Sequence, residues 1–138
     1  MKVEVKSWSK KHSRKITEYL LENVYRNLNT REKHKLRKYV EYTIKSSKYV
    51  GLAGYDNGKI VGAVLAQKGV ETPAYAQIEE LTGENEEIEK RLLKEMGKRL
   101  KNAGLKYVCV YTKKSRKRFY EKQSFRDMGE YHRYDKRL

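Results

Sequence analysis

Between Ile78 and Leu93 the chain reads IEELTGENEEIEKRLL, and the spacing of its apolar residues changes character within that stretch. The residues before Thr82-Gly83 read as a strand. Ile88, Leu92 and Leu93 then recur at the spacing of one helix face. A strand that passes almost directly into a helix requires an architecture in which sheet and helix pack together. It also leaves backbone N–H groups unpaired at the helix start, where a phosphate-bearing ligand docks. Here that start is crowded with Glu84, Glu86, Glu87 and Glu89. The chain builds an anion site and surrounds it with anions.

The flanking sequence supplies more of both element types. Lys2–Lys6 alternates and predicts a short first strand. A helix is expected from Ser9 or Lys11 to Tyr25, with Ile16, Leu20 and Val24 on one face. Asn27-Leu28-Asn29-Thr30 interrupts it, since Asn and Thr favour turns and caps. A second helix is expected over Arg31–Ser46, with Leu36, Val40 and Ile44 facing inward. Tyr49–Tyr55 and Lys59–Gln67 flank Asp56-Asn57-Gly58, a hairpin signal because Asn-Gly tolerates the positive φ angles of tight turns. Gly51, Gly54 and Gly62 inside those strands point to bulges or close backbone approach.

Further along, a strand over Tyr75–Leu81 leads into a helix over Glu84–Asn102. Its core stripe is Ile88, Leu92, Leu93, Met96 and Leu100, and Gly104 suits its C-terminal cap. Glu86/Lys90, Glu87/Arg91 and Glu95/Arg99 stand at the spacing that favours ion pairs. Lys106–Thr112 is apolar on both faces and reads as a central strand. A short helix over Ser115–Lys122 and a last strand over Glu130–Lys136 complete the order β-α-α-β-β-β-α-β-α-β. One α/β domain spanning residues 1–138 is expected.

The formal charge is +15, and it is unevenly spread. Residues 1–48 hold 14 basic and 5 acidic groups, residues 49–105 hold 8 and 9, and residues 106–138 hold 11 and 4. Basic ends around a near-neutral middle suit an acidic partner: nucleic acid, an acidic protein or a phosphorylated cofactor. A thermophile-like surface rich in Lys and Glu accounts for the same counts. The single cysteine, Cys109, excludes an internal disulfide, and mid-strand among valines and tyrosines it reads as a small buried filler. No apolar run approaches membrane-spanning length, so a cytoplasmic protein with no membrane partner is expected. His12, His34 and His132 lack metal-ligand spacing, and no metal site is expected.

Three stretches together carry a family resemblance. Tyr49–Gln67, YVGLAGYDNGKIVGAVLAQ, resembles the second and third strands of the GNAT acetyltransferases. Ala76–Leu81, AQIEEL, resembles their fourth strand. Arg118–Arg126, RFYEKQSFR, is similar to the segment that follows their fifth. The resemblance implies a GNAT-like mixed, mostly antiparallel central sheet flanked by helices. It also implies acetyl-CoA as co-substrate and transfer of an acetyl group to a primary amine. The departure falls on the stretch from Ile78 to Leu93. The family's pyrophosphate loop, R/Q-x-x-G-x-G/A, is replaced by Glu84-Asn85-Glu86-Glu87-Ile88-Glu89, which leaves Gly83 as its sole glycine.

By that resemblance Tyr120 is the acid that protonates the leaving thiolate. Leu81, Thr82, Gly83 and Asn85 line the cofactor junction, and Lys113 and Ser115 follow the fifth strand where the family touches the pantetheine arm. Lys113 stands where an asparagine is common. Amine acetylation also needs a base. Glu79 and Glu80 are expected on opposite faces of their strand, so only one can enter the cleft, and Glu80 is the choice. The alternative function is an inactive GNAT-fold module that binds RNA or a ribonucleoprotein. Tyrosines interleaved with basic residues, as in Tyr131-His132-Arg133-Tyr134, suit stacking and phosphate contact.

Overall fold

A computed structural model of the protein describes residues 2–128. The expected last strand, Glu130–Lys136, lies outside the described residues, as does the Tyr131–Tyr134 cluster. A five-stranded sheet runs in the order β1 (Glu4–Ser7), β2 (Tyr49–Asp56), β3 (Lys59–Lys68), β4 (Tyr75–Gly83) and β5 (Tyr107–Val110). Every pair is antiparallel except β4–β5, which is parallel. Helices α1 (Ser13–Asn23) and α2 (Thr30–Lys45) cover one face, and α3 (Glu86–Asn102) and α4 (Lys117–Lys122) pack on the other. Tyr107–Val110, expected to be central, is the outermost strand among the described residues, and Tyr107 is exposed.

Alternation along the strands assigns the two cores. Leu52, Val64, Ala66, Ala76 and Ile78 point to α3, whose Ile88, Leu92, Leu93, Met96 and Leu100 are all buried, as their spacing predicts. Ala53, Tyr55, Ala63 and Leu65 point to α1 and α2, where they meet Ile16, Tyr19, Leu20, Leu36 and Val40. The β2–β3 hairpin closes at Asn57 (φ 50°) and Gly58 (φ 80°), the backbone geometry the Asn-Gly pair favours.

Two glycines have a steric reason. The Trp8 ring lies over Gly51, where an added Cβ would stand 2.4 Å from Cδ2, and the indole N–H donates to the Leu52 carbonyl at 2.9 Å. At Gly62 an added Cβ would meet Ile88 Cγ2 and Leu92 Cδ1, each at 2.8 Å. Glycine there lets α3 lie directly on the sheet.

Several local expectations are revised. Strand β4 continues through Gly83, and α3 begins at Glu86 rather than Glu84, because Asn85 is its N-cap and accepts from the Ile88 N–H at 3.0 Å. The first helix begins as a 3-10 turn over Lys10–His12 and ends at Asn23. Glu95 pairs with Lys98 at 3.6 Å, not with Arg99, which instead donates to Ser7 Oγ at 2.8 Å.

Candidate active site

The sheet opens between β4 and β5. Their pairing runs from Tyr75↔Tyr107 to Ile78↔Val110, while β4 continues to Gly83. Over Glu79–Gly83 the β5-side edge of β4 has no strand partner among the described residues. A free strand edge offers alternating N–H and C=O groups to an extended ligand that carries amides of its own.

A bulge sits at the start of this opening. Leu65 pairs with Glu80 and the adjacent Ala66 pairs with Ile78, so Glu79 is the extra residue. The bulge overturns the expectation that Glu79 and Glu80 face opposite ways. Ile78 points to α3, so Glu79 points the other way, and Glu80 opposite Leu65 points the same way as Glu79. Both carboxylates stand on the α1–α2 side. Tyr25, just beyond α1, donates its hydroxyl to Glu80 Oε1. Burial holds the Tyr25 and Tyr39 phenols neutral, the charges of both glutamates add to it, and Tyr39 is pushed up to about 12. Burial, with the neighbouring Glu80 charge, raises Glu79 above the ordinary carboxylate value. Tyr39 and Tyr42 stand edge-on to Tyr49 nearby.

Beyond β5, Tyr120 on α4 is buried against Phe119 and Phe125, with ring centroids 5.1 and 5.4 Å away. Burial raises its phenol, so it holds its proton through neutral pH, although Arg116 beside its hydroxyl opposes that shift. Burial likewise raises the half-buried Cys109 thiol on β5.

The remaining expected site residues divide by direction. Leu81 packs against the α3-side core, and Thr82 lies on the other face, where it bonds the Tyr19 hydroxyl. An added Cβ at Gly83 would stand 2.9 Å from Glu89 Cγ. The Asn85 side chain is committed to capping α3. Lys113 and Ser115 are exposed at the 3-10 turn Lys114–Arg116. Of the four glutamates at the α3 start, Glu84, Glu86 and Glu87 are exposed, and Glu84 stands 3.9 Å from Lys59. Glu89 alone turns inward, 9% exposed, and accepts from Arg116 Nη2 at 3.0 Å.

Sequence reasoning missed Tyr25, Tyr39 and the Glu89–Arg116 pair. A tyrosine at the break between the first two helices was the available sign of Tyr25. Nothing local marks a contact that joins residues 89 and 116. Among the described residues no cluster of ligands suits a metal ion, and no helix is long and apolar enough to cross a membrane.

No family model matches the chain, and no curated protein matches it in sequence. Solved structures do share its fold. The aminoglycoside N-acetyltransferase AAC(6')-Iy, in complex with the bisubstrate analogue CoA-S-monomethyl-acetylneamine, superposes with a TM-score of 0.85 over 100% of both chains at 11% identity. A predicted acetyltransferase from Clostridium acetobutylicum, with acetyl-CoA, gives 0.73 at 14% identity over 97% of this chain and 96% of that one. A transcriptional regulator from Bacillus halodurans C-125 gives 0.78 at 17% identity, over 97% and 99% of the two chains. The fold of this chain is that of the GNAT acetyltransferases.

Proposed function

We propose that the protein is an acetyl-CoA-dependent N-acetyltransferase that acts on an amine acceptor. One observation carries the reading: β4 parts from β5 beside two carboxylates, Glu79 and Glu80, and the helix that follows β5 carries a buried phenol, Tyr120. The CoA and acetyl-CoA complexes of proteins that share the fold support it.

The residues present fit the arm of acetyl-CoA better than its phosphates. The free edge of β4 from Glu79 to Gly83 suits the amides of the pantetheine arm. At the α3 start the first N–H groups, those of Glu86 and Glu87, have no intrahelical acceptor and suit an anion. The exposed Glu84, Glu86 and Glu87 side chains oppose one. Acetyl-CoA supplies an activated thioester.

The chain supplies the proton transfers. An amine arrives protonated, and the two carboxylates with their tyrosine surround attract that cation. Glu79, whose carboxyl is raised, takes the proton that the nitrogen sheds, directly or through water, while Glu80 is held by Tyr25. Tyr120 returns a proton to the departing sulfur. The role first given to Glu80 thus passes to Glu79, with Glu80 beside it.

Thermal denaturation with acetyl-CoA tests the reading. A ligand at a hundred times its Kd stabilises by about 2.7 kcal/mol, so the melting temperature rises with concentration. Amines that are substrates then release free CoA thiol. No shift at about 1 mM acetyl-CoA overturns the reading.

A second reading, binding of single-stranded RNA, rests on a separate observation. Residues 10–48, which form the first 3-10 turn, α1 and α2, hold twelve basic against four acidic residues. Among the described residues, those of these cations in ion pairs are Arg14 and Arg37, with Glu18 and Glu41. A groove between α1 and α2 is lined by Arg14, Lys33, His34 and Arg37 together with Glu18.

A further inference from the structure

A carboxylate buried on the first turns of a helix is costly unless it is paired. Glu89 is such a group, and its partner comes from across the opening. Arg116 lies on the 3-10 turn after β5, while Glu89 lies on the helix after β4, and the two meet at 3.0 Å. The pair therefore spans the two segments whose strands have separated. A Cβ added at Gly83, the last residue of β4, would stand 2.9 Å from Glu89 Cγ, which places the pair at the end of the strand whose edge is open.

Arg116 is held differently from the cations around it. Lys113, Lys114, Lys117 and Arg118 are exposed. The Arg116 guanidinium instead stacks over the Phe119 ring at 4.4 Å and stands 6.0 Å from that of Tyr120. A third of its side chain is still open to solvent, against 12% for Glu89. It is thus oriented, reachable from outside and occupied on its inner side by an internal anion. A guanidinium fork matches the oxygens of a phosphate as well as those of a carboxylate.

We propose that Arg116 is the phosphate-binding residue of this protein's CoA site, and that the Glu89 carboxylate holds the guanidinium until the ligand's phosphate displaces it. The proposal rests on the acetyl-CoA reading and explains how a chain without the glycine-rich loop binds a pyrophosphate. The phosphate is held by a side chain from beyond β5, where the loop's backbone amides would otherwise hold it. Specificity follows, since a ligand must carry a phosphate to open the pair.

The test is titration calorimetry of CoA, and of pantetheine, which lacks the phosphates, against wild type, Glu89→Gln and Arg116→Gln. Glu89→Gln is expected to bind CoA about tenfold more tightly and Arg116→Gln about tenfold more weakly, the scale of a charge-assisted hydrogen bond. Pantetheine affinity should stay the same in all three. Arg116→Lys, which keeps the charge and loses the fork, serves if Arg116→Gln does not fold, and it too should bind CoA more weakly. If wild type binds CoA and Glu89→Gln binds it no better, the proposal is overturned and the acetyltransferase reading stands. Variants that change pantetheine and CoA binding equally also overturn it, because the pair is then only a structural strut. If neither wild type nor Glu89→Gln binds CoA, both fall.

Discussion

On the acetyltransferase reading Tyr120 and Glu79 have opposite tasks, and the structure shifts both in the direction those tasks would require. Burial keeps the Tyr120 proton in place through neutral pH, as a proton donor needs. Tyr120→Phe removes the hydroxyl and leaves the packing with Phe119 and Phe125 intact. It is expected to slow acetyl transfer about a hundredfold in a CoA-release assay, while thermodynamic stability changes by less than about 1.5 kcal/mol. Glu79 is raised by burial and by Glu80, so the fold favours its neutral form. The stability this gives is fully present below the ordinary value of 4.5 and is lost as pH rises through the folded value. Glu79→Gln, neutral at every pH, is therefore expected to melt about 2 °C above wild type at pH 8 and level with it at pH 4, by scanning calorimetry. The same substitution should remove the rise of kcat/KM with pH that a base produces.

At the scale of elements, the placement of α3 governs the cleft. Its first turns lie close on β3 because Gly62 presents no side chain to Ile88 and Leu92. Gly62→Ala would place a Cβ 2.8 Å from both, with the Thr82 carbonyl at 3.0 Å on the same side. Overpacking of that kind costs about 2 kcal/mol, measurable by urea denaturation, and the α3 start must move. Acetyl-CoA affinity should fall with it. Much at this scale was legible in the sequence. The α3 stripe, the Asn-Gly hairpin and the special role of Gly51, Gly54 and Gly62 follow from local spacing and backbone sterics. The β4 bulge did not, because a bulge is a mismatch between two strands and neither strand records it alone. That one residue of slippage moved Glu79 to the side of Glu80 and so changed which carboxylates share the cleft.

Across the whole molecule, positive charge is unevenly spread over both faces of the sheet. Twelve basic residues over positions 10–48 crowd the α1–α2 side, whereas α3 carries six basic against four acidic groups. On the RNA-binding reading, labelled single-stranded RNA should bind at about 50 mM salt and at least about tenfold more weakly at 200 mM, followed by fluorescence anisotropy. Lys33→Glu/Arg37→Glu should flatten that salt dependence, while CoA binding on the opposite side of the sheet stays unchanged. Binding that ignores salt, or that is absent at low salt, removes the reading.

The sequence by itself determined the element order as far as it is described, the apolar stripe of α3 and the overlap of acids with an anion-binding helix start. These depend on periodicity and chain neighbours, which a linear string contains. The tertiary structure alone decided what those acids do. Glu84, Glu86 and Glu87 point to water, and Glu89 turns inward to meet an arginine 27 positions away. The reason is geometric: burial and pairing between distant residues are fixed by how β4 and β5 part, and no local pattern encodes where two strands separate.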